Sequence, residues 1–108
     1  MLPDILTRDG HTLLVAEIDG EPVGTLHLIV VPNITHEGTP WAIVENVSVD
    51  AAHQRSGVGR ALMEDAERRA REAGCYKVQL LSGEQRGAGA FYERLGYEHA
   101  ACGYRKYF

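Results

Sequence analysis

The residues Gln54-Arg55-Ser56-Gly57-Val58-Gly59-Arg60 follow an apolar run directly and open a stretch with helical periodicity. That placement has chemical content. The first N–H groups of a helix have no partner inside it, and the helix dipole adds partial positive charge at the same end. Two glycines one residue apart let the backbone approach a bulky anion with no side chain between them. A phosphate or pyrophosphate suits such a ring of donors, and Arg55 and Arg60 stand ready to add charge at its rim. Two common phosphate patterns fail here. The dinucleotide fingerprint needs a third glycine where Leu62 stands. The nucleotide P-loop needs Lys-Ser or Lys-Thr after the glycine, where Arg60 stands. A tight turn that uses glycine only for its backbone freedom is the competing reading.

The elements that must position this segment can be read from periodicity and punctuation. Thr12 to Ile18 and Val23 to Val31 are apolar, branched runs separated by Asp19-Gly20-Glu21-Pro22, which predicts a hairpin. Trp41 to Val49 is a third strand, halted at Asp50. Val58, Ala61, Leu62, Ala66, Ala70 and Ala73 then recur at helical spacing, and Gly74 ends the helix in the left-handed conformation. Glu64 with Arg68, and Glu67 with Arg71, are expected ion pairs four residues apart on its outer side. Lys77 to Leu81 is a fourth strand, broken at Ser82-Gly83. Ala88 to Leu95 is a short helix closed by Gly96, and Tyr97 to Phe108 is expected to form two short strands turning near Gly103. Strand, helix and strand from Trp41 to Leu81 make a crossover unit, so those two strands are expected to lie parallel. The fold class is α/β of the α+β type: a mixed, mostly antiparallel sheet with helices packed on it, in a single domain spanning residues 1–108.

Composition narrows the function. The chain has 108 residues and a formal net charge of −4, with its arginines concentrated in one helix rather than in a patch. Nucleic acid as a main partner is thereby disfavoured, because binding phosphate backbones needs concentrated cationic surface. No stretch approaches the roughly 20 apolar residues of a membrane helix, and Met1 opens no signal pattern, so a cytoplasmic location and no membrane partner are expected. The two cysteines, Cys75 and Cys102, are too few for a disulfide framework. No metal site is expected, since neither Cys-x-x-Cys nor His-x-x-x-His spacing occurs.

Three blocks stand out together. Gln54-x-x-Gly57-x-Gly59 follows a strand ending Val47-Ser48-Val49-Asp50; Gly74-Cys75-Tyr76-Lys77-Val78 enters the fourth strand; and Ala90-Phe91-Tyr92-Glu93-Arg94-Leu95-Gly96-Tyr97 covers the short helix and its exit. In that order they resemble the GNAT superfamily of N-acetyltransferases, from about Trp41 onward. The middle block is similar to the glucosamine-6-phosphate N-acetyltransferase branch. The resemblance implies an acyl-CoA N-acyltransferase-like fold with acetyl-CoA as co-substrate and no metal, inserted where two parallel strands splay apart. It implies that the backbone of Val47 and Val49 bonds the pantetheine arm, that Gln54, Arg55, Ser56, Gly57, Val58, Gly59 and Arg60 hold the pyrophosphate, and that Tyr92 protonates the departing thiolate. The acceptor implied is a primary amine on a small molecule, which attacks the thioester directly in a ternary complex.

That chemistry sets requirements of its own. An alkyl ammonium has a pKa of about 10 and must lose a proton before it attacks. Glu45 on the third strand is the candidate base, directly or through water, against the alternative of a solvated strand carboxylate. A backbone N–H near Val47 would bond the developing oxyanion. Tyr92 is the candidate acid, against the alternative of a ring that only caps the core. His27, one strand away, is a proton relay or a structural histidine.

A full member of the resembled family has a strand and one or two helices before the hairpin, whereas only Met1 to Gly10 precede the first strand here. The expectation is a fold lacking those first elements, with an exposed edge strand that invites a homodimer. The alternative to an enzyme is an acyl-CoA-binding module without turnover, regulatory or a remnant. A subunit that acetylates protein tails is a third reading.

Overall fold

The computed structural model describes residues 8–82 and 88–108. Its sheet has four strands in the order β1-β2-β3-β4: β1 (His11–Ile18), β2 (Glu21–Val31), β3 (Trp41–Val49) and β4 (Val78–Gln79). Helix α1 (Val58–Glu72) connects β3 to β4, and a short helix α2 (Gly89–Arg94) follows. β1, β2 and β3 run antiparallel in turn, while β3 and β4 are parallel, as the crossover requires. The hairpin turn is tighter than its flanking residues suggest, since β2 begins already at Glu21. Asp19 and Gly20 carry φ of 52° and 82°, the paired left-handed conformation whose twist matches a two-residue hairpin.

One face of the sheet packs on α1. Leu14, Leu26, Leu28, Ala42 and Val44 from the strands meet Val58, Leu62, Met63, Ala66 and Ala70 from the helix, all buried. The sequence stripe on α1 needs correction. Ala61 and Ala73 are exposed, and fully buried Met63 takes the central place. Alanines at helical spacing cannot mark which edge of a broad stripe faces inward. α1 ends in a Schellman turn: Cys75 N–H bonds the Ala70 carbonyl and Gly74 N–H bonds the Arg71 carbonyl, both at 3.0 Å.

The helix sits close to the sheet because of Gly24, a residue with no prior significance in the sequence. A Cβ there would lie 3.0 Å from Val58 Cγ1, 3.2 Å from Leu62 Cδ1 and 3.1 Å from the Ser48 carbonyl oxygen. The oxygen is backbone and cannot yield as a side chain does. Gly24→Ala should therefore cost about 1–3 kcal/mol, the range for overpacked cores, with Tm falling several degrees for each kcal/mol. Thermal unfolding followed by circular dichroism checks it; an unchanged midpoint would mean that the first turn of α1 shifts freely.

Two expectations about the end of the chain fail. β4 pairs only through Val78 and Gln79, and the stretch Tyr97 to Phe108 forms no strand. Between its aromatic ends lie Ala100, Ala101 and Gly103, which favour extended pairing poorly, and Tyr104 is 97 % exposed. Gly83, expected to break the fourth strand, lies outside the described residues, as do residues 1–7. No helix among the described residues is long and apolar enough to cross a membrane.

Candidate functional site

The site is built on an irregularity in β3. The β2–β3 register shifts between Thr25 and His27, opposite Asn46, whose φ of 54° is left-handed. Such a bulge inserts one residue and reverses the facing of everything beyond it. Before it, Ala42 and Val44 point into the core; after it, Val47 and Val49 pack there instead. The backbone reverses too. Ala42 N–H bonds the Lys77 carbonyl on the β4 side at 3.0 Å, whereas Asp50 N–H bonds the Val23 carbonyl on the β2 side at 2.8 Å. By alternation from Asp50, Val47 and Val49 turn their N–H and C=O groups away from β2. On that side β4 no longer pairs, because its ladder ends at Ile43↔Gln79. The pairing of the two parallel strands goes no further among the described residues, and these backbone groups of β3 have no strand partner there.

The segment from Gln54 to Arg60 lies at the end of this strand. Helix α1 begins after Gly57, whose φ is 90° and which contributes no side-chain cap. The first intrahelical bond is Ala61 N–H to the Gly57 carbonyl at 3.0 Å, so the amides of Val58, Gly59 and Arg60 precede the ladder. Arg55 is left-handed as well, with φ of 64°. The space in front of Gly57 is open among the described residues: a Cβ there would meet none of their atoms within 4 Å. The two glycines therefore differ in purpose. At Gly59 a Cβ would lie 3.3 Å from Phe91 Cζ and 3.8 Å from Val49 Cγ2, so this glycine lets α2 close over the start of α1.

Several side chains of the segment are already engaged. Gln54 Nε2 donates to the Val49 carbonyl at 3.3 Å, which ties the turn to β3 and leaves the Val49 N–H as its group turned away from β2. Ser56 Oγ donates to the His53 carbonyl. Arg60 is paired with Glu64 at 2.8 Å, and Arg68 turns to Asp65 and Glu72 instead of to Glu64 as expected. The Glu67–Arg71 pair forms at 3.9 Å. At these exposures each pair contributes at most a few tenths of a kcal/mol, so the Arg60 guanidinium exchanges partners easily. His53 has its Nδ1 buried with no hydrogen-bond partner among the described residues, one position before Gln54.

Tyr92 sits in α2, half-buried, with its ring edge-on to Phe91 at 5.0 Å and to Tyr97 at 6.0 Å. Burial pushes its phenol above the ordinary value. Tyr97 is pushed higher still, by burial first and then by donating to Glu67 Oε2 at 2.8 Å. Tyr97 is thus committed to α1, while Tyr92 lines a cleft of about 1520 Å³ bounded by β4, α2 and the chain after it. Neither Val47, Val49 nor the turn lines that cleft. Glu45 is exposed and, one residue on from Val44, lies on the opposite face of the sheet from α1. The structure therefore gathers Val49, Gln54, Gly59 and Phe91, places Tyr92 beside them, and sets Glu45 across the sheet. Cys75 is partly buried, which raises its thiol above the usual range and makes it a poor nucleophile.

Known proteins share this architecture. Glucosamine 6-phosphate N-acetyltransferase of Trypanosoma brucei brucei is 38 % identical over 78 residues, which is 72 % of this chain and 52 % of that protein. A transcriptional regulator from Bacillus halodurans superposes with a TM-score of 0.95 at 32 % identity, covering 99 % of this chain and 72 % of the other. Glucosamine-6-phosphate N-acetyltransferase from Arabidopsis thaliana superposes at 0.90 over 99 % of this chain and 74 % of the other, at 24 % identity, which speaks for the fold alone. The chain spans about half the length of the relatives matched by sequence, 52 % and 42 % for two of them. The sequence model of the acetyltransferase (GNAT) family matches residues 2–97, and the chain belongs to that family.

Proposed function

We propose that this chain, as a single domain over residues 1–108, moves an acetyl group from acetyl-CoA to a primary amine on a small molecule. The observation that carries the reading is the end of the described β3–β4 ladder at Ile43↔Gln79, beyond which the backbone of Val47 and Val49 turns away from β2 and leads to the free amides before Ala61. The residues fit the co-substrate. An extended amide-bearing arm matches the turned-out strand groups, and a diphosphate matches the amides of Arg55 to Arg60 in front of an open Gly57. When bound, the co-substrate supplies an acyl carbon activated as a thioester.

Everything else is done by the chain. Val47 and Val49 orient the arm through backbone hydrogen bonds. The Val47 N–H faces charge developing on the carbonyl oxygen. Tyr92 approaches from the α2 side, where burial keeps its phenol protonated at neutral pH. A thiol has a pKa of about 8.5, so the phenol donates a hydrogen bond to the departing sulfur and completes the transfer only as charge builds there. Glu45, on the other face, attracts the ammonium and takes its proton. Direct attack by the amine is preferred over an acetylated cysteine because Cys75 is held as the thiol.

The test is thiol release from acetyl-CoA with a panel of amines, headed by amino-sugar phosphates because of what the trypanosomal relative acts on. Release that depends on an amine supports the reading. Calorimetric binding of CoA with no release would make the chain an acyl-CoA-binding module instead. We also propose a homodimer. β1 is an edge strand of the described sheet, with Val15 and Ile18 exposed by 47 % and 39 %. Sedimentation at micromolar concentration should give twice the chain mass, and a monomer throughout would end that proposal.

A further inference from the structure

The sheet face turned away from α1 carries a row of polar groups of which the reading above uses only one end. His11 Nδ1 and His27 Nε2 are hydrogen-bonded at 2.9 Å, with ring centroids 5.1 Å apart. His27 in turn stands directly opposite Glu45 in the β2–β3 register. The three groups therefore line up across three strands, from β3 to β1, the edge strand of the described sheet. In a hydrogen-bonded imidazole pair one ring donates and the other accepts, so each nitrogen in the contact has a defined role. Adding a second charge to the pair is opposed by both rings. Burial first, and then His11, hold His27 below the ordinary imidazole value, while Glu45 pulls it upward. Alternation places Leu13, Ile29 and Ile43 around His27 on the same face, and none of them carries charge. The helix that packs on the sheet, α1, lies on the other side.

We propose that His27 and His11 form the proton exit of the acceptor site, acting through Glu45 as positioning residues. This rests on the acetyl-transfer reading. The ammonium N–H bond breaks, its electron pair stays on nitrogen, and the proton bonds a Glu45 carboxylate oxygen. From there it moves to His27 Nδ1. The proton on His27 Nε2 passes along the 2.9 Å contact to His11 Nδ1, and His11 releases its Nε2 proton to water at the sheet edge. Glu45 returns to the carboxylate, and exchange with water restores the starting tautomers. The sign of the pH dependence follows. Protons that fill the pair as pH falls through the imidazole range block the exit, so the rate drops on the acid side.

The experiment compares wild type with His27→Gln and His11→Gln. Thiol release with an amine accepted by wild type is followed from about pH 5 to 9, on both sides of the imidazole range. Both variants should lose roughly tenfold in kcat at neutral pH, less than the 10²–10⁴ typical of a general base itself, because Glu45 is retained. They should keep the KM for acetyl-CoA and lose the wild-type acid limb. Profiles that superimpose on wild type would overturn the exit while leaving acetyl transfer standing. A wild type that binds CoA yet releases no thiol would sink the acetyl-transfer reading itself. A second measurement needs no turnover: NMR titration of the imidazoles. Glu45→Gln should lower the His27 pKa and His11→Gln should raise it. A His27 titration indifferent to both changes would overturn the coupling, and with it the exit.

Discussion

Tyr92→Phe is expected to slow thiol release by about 10²- to 10⁴-fold, the usual contribution of a positioned acid, with the CoA dissociation constant nearly intact. The reason is local. The ring makes its contacts with Phe91 and Tyr97 through its edges and faces, and phenylalanine keeps all of them. Only the hydroxyl is lost. Stability should therefore hold within a fraction of a kcal/mol, which separates loss of chemistry from loss of fold. The control is Tyr97→Phe, which removes the bond to Glu67 and should lower Tm more than it lowers the rate. Steady-state kinetics and calorimetry on the two variants decide the matter. An unchanged rate in Tyr92→Phe would assign the acid role to water or another group.

The second large effect is expected at Gly57. A valine there would sit at φ of 90°, a conformation that a branched side chain resists. The strain is of order 1–3 kcal/mol. Among the described residues no atom lies within 4 Å of the added Cβ, so there is no clash to absorb there. The branched side chain instead projects into the open space before the amides of Val58, Gly59 and Arg60. CoA affinity should fall at least tenfold, since about 1.4 kcal/mol corresponds to each factor of ten, and the melting temperature should fall modestly. Calorimetric titration of CoA measures the first and thermal unfolding the second. Retained affinity in a folded Gly57→Val protein would move the diphosphate site elsewhere.

Much of the scaffold could be read from the chain because the cues were local. The Asp19-Gly20 turn, the stop at Gly74 and the parallel return of Val78 each follow from neighbours in sequence, and each is found in place. The parts that escaped depend on contacts distant in sequence. Met63 is unbranched and adaptable, and its complete burial follows only once α1 is packed on the sheet. Gly24 looks like an ordinary strand residue until Val58 and Leu62 are brought against it. Competition among Asp65, Glu64 and Glu72 for Arg68 cannot be resolved from spacing alone, because i,i+3 and i,i+4 partners are nearly equal in energy. Gln54 is half of a similar lesson. Its place in the motif was legible, but its side chain serves the Val49 carbonyl. The residues after Gly96 were read as two short strands and form none, since Ala100, Ala101 and Gly103 favour extended pairing poorly.

Asn46 has a consequence that concerns counting rather than chemistry. β3 has an odd-even switch at this position. Were β3 to keep Asn46 but run as a regular strand, Ser48 would turn inward, the two valines would swing to the outer surface, and their amides would turn toward β2. Two residues rather than one stand between Val44 and Val47, and the bulge that takes up the extra one keeps both valines on the core side.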